Sequence, residues 1–293
     1  MVIISIKGGL GNQLFQYAAG YALSKRLGQD FAIDNTFFPH QTLRGYKLGS
    51  LCIDAEVFYK EETIDLHIMK NRYVQALRRK LHRTIGHCSN NTTYLLETKS
   101  TIISEFFQDF SGNVYVDGYF QSERYFKEYR VDILRQFIPA YKPEQEYMDV
   151  LEQIQSCNAV AVHVRRGDFL KAQNDRNPNH YLLGEQYYRN SLNYMQQQLD
   201  KPVFFWFSDD IDWVKQNFGE KENFYFVSLK TKHGDIDEMM LMKNCHHIIA
   251  ANSTFSWWAS WMNEHEDAIH VCPAKRYGNL HMIPDGWIKI SVE

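Results

Sequence analysis

The ten residues Ala159-Val160-Ala161-Val162-His163-Val164-Arg165-Arg166-Gly167-Asp168 constrain this chain more than any other stretch. Small and β-branched apolar residues run straight into two arginines and a glycine, the pattern of a buried parallel strand ending in a charged turn. Alternation along a strand sends His163 and Arg165 to one face and Arg166 to the other. An unpaired guanidinium at the end of a buried strand is costly, so both arginines need anions. Two sources stay open at this point. One is Asp168 and other carboxylates of the chain; the other is a ligand, because open α/β sheets bind ligands at the carboxyl ends of their strands.

The surrounding pattern supplies such a sheet. Helices are expected over 144–155, 184–199, 211–218, 236–244 and 254–262, alternating with strands over 159–165, 202–207, 224–229, 247–251 and 268–271. That rhythm predicts a parallel, doubly wound, Rossmann-like sheet. The first half reads as a looser relative: a strand over 2–6, a glycine loop, a helix from Asn12 closed by Gly28, and a strand over 30–34. A loop-rich stretch over 35–64 follows, then a basic amphipathic helix over 65–83 whose charges read as a solvated face. A strand over 114–120 and a helix over 122–137 complete it. Ile138-Pro139-Ala140-Tyr141-Lys142-Pro143 reads as a linker, so the expected domains are 1–140 and 141–293. The fold class is α/β, with two Rossmann-like domains of parallel doubly wound sheets.

A formal net charge of −3 carries no nucleic-acid signature, so any basic site must be local. The five cysteines are odd in number and lack a Cys-x-x-Cys spacing, which fits reduced thiols. The start of the chain does not read as a signal peptide, and no segment approaches the length of a membrane span. The expected setting is cytoplasmic, with a peripheral place at the inner face of a bacterial membrane.

Three further stretches can carry chemistry. In Lys7-Gly8-Gly9-Leu10-Gly11-Asn12-Gln13, glycines allow close backbone approach and a helix start offers N–H groups to an anion. Leu14 stands where a dinucleotide fingerprint needs its third glycine, and no Gly-Lys-Ser/Thr is present. Asn12 and Gln13 also read as cap residues. In Ala251-Asn252-Ser253-Thr254, hydroxyls and N–H groups suit either a helix cap or a phosphate. Because this helix start and Arg165 belong to one sheet edge, one shared anionic ligand explains both. In Ser208-Asp209-Asp210-Ile211-Asp212, Asp210 and Asp212 form an Asp-x-Asp pair that would hold a divalent metal; alternatively Ser208 or Asp209 caps a short helix, with the further acids favouring its positive end. Asp237 or Glu238 would accept hydrogen bonds from a purine. His246-His247 looks like a metal cluster only superficially, since adjacent strand residues point to opposite faces.

Four blocks then carry a resemblance: 8–18 (Gly-Gly-Leu-Gly-Asn-Gln-Leu-Phe-Gln-Tyr-Ala), Gly118-Tyr119-Phe120-Gln121, 163–168, and 251–258 (Ala-Asn-Ser-Thr-Phe-Ser-Trp-Trp). In order and spacing the chain resembles bacterial α-1,2-fucosyltransferases, glycosyltransferase family 11, from end to end. The resemblance implies a GT-B-like fold, with the C-terminal half holding GDP-fucose and the N-terminal half on the acceptor side. It implies inverting transfer of fucose to the 2-hydroxyl of a galactose-terminated glycan, without a metal or other cofactor. Arg165 would contact the donor's β-phosphate, Ser253 and Thr254 with Asn252 would lie near the same phosphates, and Asp237 or Glu238 near guanine. Gly9, Gly11, Asn12 and Gln13 complete the expected donor-binding set. The general base stays open between His163, Asp168 and the departing phosphate. Homo-oligomerisation, the acceptor's identity and a different linkage also stay open. Rival readings are a metal-dependent nucleotide-sugar transferase using Asp210 and Asp212, and a noncatalytic glycan-binding module.

Overall fold

The computed structural model describes the chain except residues 41–44, 59–69, 82, 89–90, 99–101, 173–180, 275–281 and 293, and except the side chains of 40, 58, 88, 168, 171 and 172. The chain divides into two compact units, Met1–Tyr141 and Lys142–Glu293.

The first unit is built on β1 (Val2–Ser5), β2 (Phe31–Asp34), β3 (Glu56–Phe58), β4 (Ile85–Cys88), β5 (Thr92–Leu96) and β6 (Asn113–Asp117). Their order is β3-β2-β1-β6-β5-β4. All neighbours are parallel apart from β4 and β5, where Ile85 faces Leu95 across an antiparallel pair. The helices are α1 (Leu10–Leu27), α2 (Arg72–Lys80) and α3 (Arg130–Gln136). Helix α1 ends where the sequence says it should: Gly28 has φ 61° and its N–H returns to Lys25 O, a left-handed cap suited to glycine.

Three elements here escape the sequence pattern. Strands β3 and β4 are short and β5 opens with two threonines, so none shows the apolar run that marks β1. The helix expected over 122–137 breaks into two 3₁₀ turns, Glu123–Tyr125 and Lys127–Tyr129, before α3. Phe126, at φ −146° and ψ −2°, interrupts it, because its ring is buried 5.9 Å from Phe15 of α1.

The second unit contains β7 (Ala159–Val164), β8 (Val203–Ser208), β9 (Phe224–Val227), β10 (His247–Ile249), β11 (His270–Pro273) and β12 (Ile288–Ile290). All are parallel, in the order β12-β11-β10-β7-β8-β9. Helices α4 (Gln145–Gln155), α5 (Gly167–Ala172), α6 (Glu185–Gln198), α7 (Ile211–Phe218), α8 (Gly234–Asn244) and α9 (Thr254–Met262) connect them. Strand β7 is buried throughout, as its uninterrupted apolar run requires. One face of the sheet packs Val160, Val162 and Val164 with Trp206 and Tyr187. Strand β12 and the one-and-a-half turns of α5 are additions to the expected elements.

Each sheet reverses its winding once. In the first unit the chain proceeds from β1 toward β2 on one side and places β6 on the other. In the second, β8 lies on one side of β7 and β10 on the other. The carboxyl ends of β1/β6 and of β7/β10 are therefore switch points, where diverging loops leave a crevice.

Helix α1 closes onto its sheet through Gly20, where an added Cβ would come within 2.8 Å of Ile4 Cβ and 2.7 Å of the Phe31 ring. We expect Gly20→Ala to destabilise the protein by about 1–3 kcal/mol through overpacking, read as a lowered midpoint in urea denaturation. An unchanged midpoint would show that α1 can shift on its sheet at no cost in stability.

Candidate active site

At the switch point of the second unit, β7 delivers His163, Arg165 and Arg166, and β10 delivers the loop into α9. The two are tied together. His163 Nδ1 and Ser256 Oγ share a hydrogen bond of 2.9 Å, and Ser256 Oγ also accepts the Ala251 N–H at 3.1 Å. Asn252, fully buried, donates to Tyr181 O at 2.7 Å, and the Tyr187 hydroxyl donates to Ala250 O. The Ser253 hydroxyl accepts the Phe255 N–H at 3.3 Å and so caps α9. The loop that carries Ser253 and Thr254 thus stands on fixed supports, with the positive end of α9 behind it.

The two arginines have different fates. Arg166 Nε meets Asp210 at 3.1 Å, and its guanidinium lies 3.9 Å from the centre of the Trp213 ring. Asp210 in turn accepts the Trp213 N–H at 3.3 Å, so the cap of α7 is Asp210 rather than the expected Ser208 or Asp209. This cluster locks the end of β7 to the start of α7, and it commits Asp210 to structure. Asp212 is exposed on the first turn of α7.

Arg165 Nη1 lies 2.9 Å from Asp209 Oδ2, with side-chain exposures of 24% and 26%. At that exposure the pair is not sealed from solvent, so an incoming anion can compete with Asp209 for the guanidinium. Asp209 stays in place because its other oxygen accepts the Arg166 N–H at 2.8 Å. Gly167 leaves room for it: a Cβ there would sit 2.9 Å from Asp209 Oδ2. Linear motif reads Asp209 as a helix cap and misses its place beside Arg165. The parallel register finds it, since Val164 pairs with Ser208 and the next residues are Arg165 and Asp209.

Helix α8 separates the two acids expected near a purine. Asp237 is 2% exposed, accepts the Thr231 hydroxyl and, together with burial, pushes the Tyr147 phenol up to about 12. Glu238, one residue on, is pushed up to about 7 by burial and by the negative charges of Asp235, Asp209 and Asp237. Of the two, Glu238 is the one that senses Asp209, the partner of Arg165.

The glycine-loop residues belong to the first unit. Gly9 caps α1 through its backbone. Gln13 is fully buried, donates to Gly8 O and Gly45 O at 2.9 Å each, and accepts the Lys47 N–H. Its place is that of a brace for the turn, with both ends of its amide engaged. Asn12 Oδ1 accepts from Gln121 Nε2 at 2.8 Å, and Gln16 Nε2 donates to Gly118 O at 3.1 Å, which joins the first two sequence blocks at the β1/β6 switch point. Lys7 pairs with Asp117 there, and the exposed Tyr119 ring lies 5.4 Å from the Lys7 ammonium.

Of the proposed bases, His163 is 4% exposed and bound to Ser256, while the Asp168 side chain lies outside the description. His246 and His247 correct the expectation of opposite faces: their rings stack at 4.6 Å, and His265 stacks on His246 at 4.5 Å. His246 precedes β10 and so escapes the strand's alternation. Among the described residues no three His, Cys, Asp or Glu side chains converge as a set of metal ligands. A cavity of about 570 Å³ borders these histidines, with Cys157, Asp200 and Ile269, at the amino ends of the strands and away from Arg165.

Two α/β units with their polar crevices at the carboxyl strand ends place the chain in a fold class. NodZ α-1,6-fucosyltransferase, in crystals soaked with GDP-fucose, matches with a TM-score of 0.52 at 14% identity, covering 89% of this chain and 91% of that one. The architecture is that of a GT-B-like glycosyltransferase. More specifically, the chain belongs to glycosyltransferase family 11, whose sequence model matches residues 1–283. An α-1,2-colitosyltransferase of Escherichia coli is 30% identical over 99% of both chains. The galactoside 2-α-L-fucosyltransferase SEC1 of Bos taurus is 24% identical over 88% of this chain and 63% of its own length.

Glu238 generates a prediction. With its native pKa near 7 against an ordinary 4.5, the folded state holds a proton that the unfolded state has released. Stability therefore falls as pH rises from about 4.5 to 7 and levels off above. Glu238→Gln should stabilise the protein at pH 8, by a few kcal/mol at most, and the gain should vanish below pH 4.5. Thermal melts at both pH values check this; equal gains at both would refute it.

Proposed function

We propose that the protein transfers L-fucose from GDP-fucose to the 2-hydroxyl of a terminal galactoside, with inversion and without a metal. The observation that carries this reading is Arg165. It stands at a switch point beside the Ser253-Thr254 helix start, held by a carboxylate with which an incoming diphosphate can compete. Attack of the acceptor hydroxyl on the anomeric carbon passes through an oxocarbenium-like state, and charge accumulates on the departing diphosphate. A guanidinium already oriented there acts most strongly where charge develops.

The remaining residues take roles accordingly. Arg166, Asp209 and Asp210 orient Arg165, and His163 acts as a positioning residue that ties β7 to α9. Thr254, Ser253 and Asn252 present the α9 start to phosphate, while Glu238 faces the purine. Gly9, Gly11 and Asn12 are assigned to donor binding, with Gln13 as the support of their turn. The first unit serves the acceptor, where the Tyr119 ring offers a sugar a face to pack against. The proton leaves through Asp168 or the departing phosphate. A pH–rate profile of Asp168→Asn separates the two, since only in the first case does the fall in rate at low pH, where the base is protonated, disappear.

Colitose is fucose without its 3-hydroxyl, so the full-length likeness to a colitosyltransferase makes donor choice a direct question. Initial rates with GDP-fucose and GDP-colitose on lactose, followed by determination of the product linkage, answer it. Preference for the colitosyl donor, or a product without a 2-linkage, would overturn the assignment.

A charge-assisted hydrogen bond of about 1.5–3 kcal/mol corresponds to roughly one to two powers of ten in rate. Arg165→Ala should lose at least that much, and Arg165→Lys nearly as much, because an ammonium cannot reproduce the planar fork. Both should lose thermal stabilisation by GDP. Near-normal turnover by the lysine variant would remove Arg165 from this role. Turnover should also persist in excess EDTA; its loss and recovery with Mg²⁺ or Mn²⁺ would favour the metal-dependent reading.

A further inference from the structure

Helix α2 is mounted on its sheet by its polar side. Gln75 Nε2 donates to the Tyr94 hydroxyl at 3.0 Å and to Asp117 Oδ2 at 2.9 Å. Arg78, 7% exposed, donates to the carbonyl oxygens of Arg83, Thr84 and Tyr94 at 3.2, 2.7 and 3.3 Å. Gly86 makes space for it, since a Cβ there would sit 3.1 Å from the guanidinium. The apolar side looks outward. Tyr73, Leu77 and Leu81, spaced i, i+4, i+8, are 68%, 57% and 51% exposed. An amphipathic helix on a globular protein ordinarily turns the other way, apolar stripe inward.

The ridge is flanked by cations. Residues 70–83 hold six Lys or Arg and no Asp or Glu, in a chain whose acids outnumber its bases by 35 to 32. Arg72, Arg79, Lys80 and Arg83 are exposed around the ridge. Arg72 lies 4.7 Å from the centre of the Tyr73 ring and donates to its hydroxyl at 2.7 Å, so a cation and an aromatic are presented together. Arg72, Arg79, Lys80 and Arg83 face solvent, as the sequence suggests, but Arg78 does not, and the large apolar side chains do.

We propose that α2 seats the protein on an anionic phospholipid surface. The Tyr73-Leu77-Leu81 ridge enters the boundary between headgroups and acyl chains, while Arg72, Arg79, Lys80 and Arg83 meet lipid phosphates. Three apolar side chains bind a bilayer weakly and four cations bind it weakly; the two signals on one short helix reinforce each other. A protein partner would need a groove matched to a ridge one residue wide and cations on its flanks. A bilayer accepts such a ridge without matching.

Co-sedimentation of the whole chain with vesicles tests this, independently of which sugar is transferred. At low salt the protein should pellet with 30% phosphatidylglycerol in phosphatidylcholine and stay in solution with phosphatidylcholine alone. Leu77→Ser with Leu81→Ser should weaken partitioning at least tenfold, and so should Arg79→Glu with Lys80→Glu; 0.5 M NaCl should do the same to the unaltered protein. Arg79→Lys, which keeps the charge, should bind as the unaltered chain does. The substituted side chains are exposed, so melting temperatures should be unchanged. The proposal fails if the unaltered protein stays in the supernatant, binds neutral vesicles equally well, or is matched by both double variants. A protein would then be the partner to seek for the ridge.

Discussion

Charges gathered at the carboxyl ends of parallel strands must be paired, and the rest of the structure follows from how firmly each is paired. Strands buried on both faces end at a common edge, so their terminal side chains share a small, partly dehydrated volume. A guanidinium there without an anion would be prohibitive. The second unit solves this twice within three residues. Arg166 has a carboxylate, an aromatic ring and little exposure, so it is fixed. Arg165 meets the carboxylate of Asp209 with more water around both, so an incoming anion can compete there. A single strand end thereby holds both an anchor and a binding group.

The first unit shows the same chemistry without an exchangeable member. Burial alone would raise the Asp117 and Asp34 carboxyls, yet both are held below the usual carboxylate range. Lys7 and the Tyr94 hydroxyl do so for Asp117, and Lys70, Thr36 and the Tyr115 hydroxyl for Asp34. What sets these pairs apart is the carboxylate: Asp117 and Asp34 are 7% and 5% exposed against 26% for Asp209, while the cations, at 19% and 30%, are about as exposed as Arg165. The network rigidifies the sheet edge and supports α2 through Gln75, but it offers a ligand no loosely held charge. What it presents instead is the Tyr119 turn. There Glu97 accepts the Tyr119 and Phe120 N–H groups, and Phe120 adopts φ 49°, uncommon for a bulky residue.

Much of the second unit was legible because a buried strand and an amphipathic helix leave strong periodic signals. The strand expected over 159–165 and the helices over 184–199 and 254–262 fall within a residue or two of β7, α6 and α9. The first unit was harder. Strands β3, β4 and β5 are short and rich in polar or β-neutral residues, and tertiary pairing with better neighbours makes them strands. Helix α2 was read for its charges, but sequence period alone does not say which side of a helix faces the protein. Buried Arg78 and exposed Leu77 reverse the usual answer. At the site, Arg165 and the α9 start were visible as motifs, whereas the place of Asp209 needed the strand register and the bond of Ser256 to His163 needed the fold.

The distances between paired residues explain why separated blocks of sequence act as units. Gln121 reaches Asn12 across 109 positions, and Gln16 reaches Gly118 across 102. His163 reaches Ser256 across 93. Each pair bridges the two strands that flank a switch point, β1 with β6 and β7 with β10. Only there do two turns distant in sequence emerge side by side with no intervening strand between them. A glutamine or histidine can span that gap and still bond to a backbone or hydroxyl group, which an apolar residue of similar size cannot. The four blocks are therefore two spatial clusters, each written in the sequence as two halves. Weakening one half, as by His163→Ala, would loosen the loop that the other half positions without touching its residues.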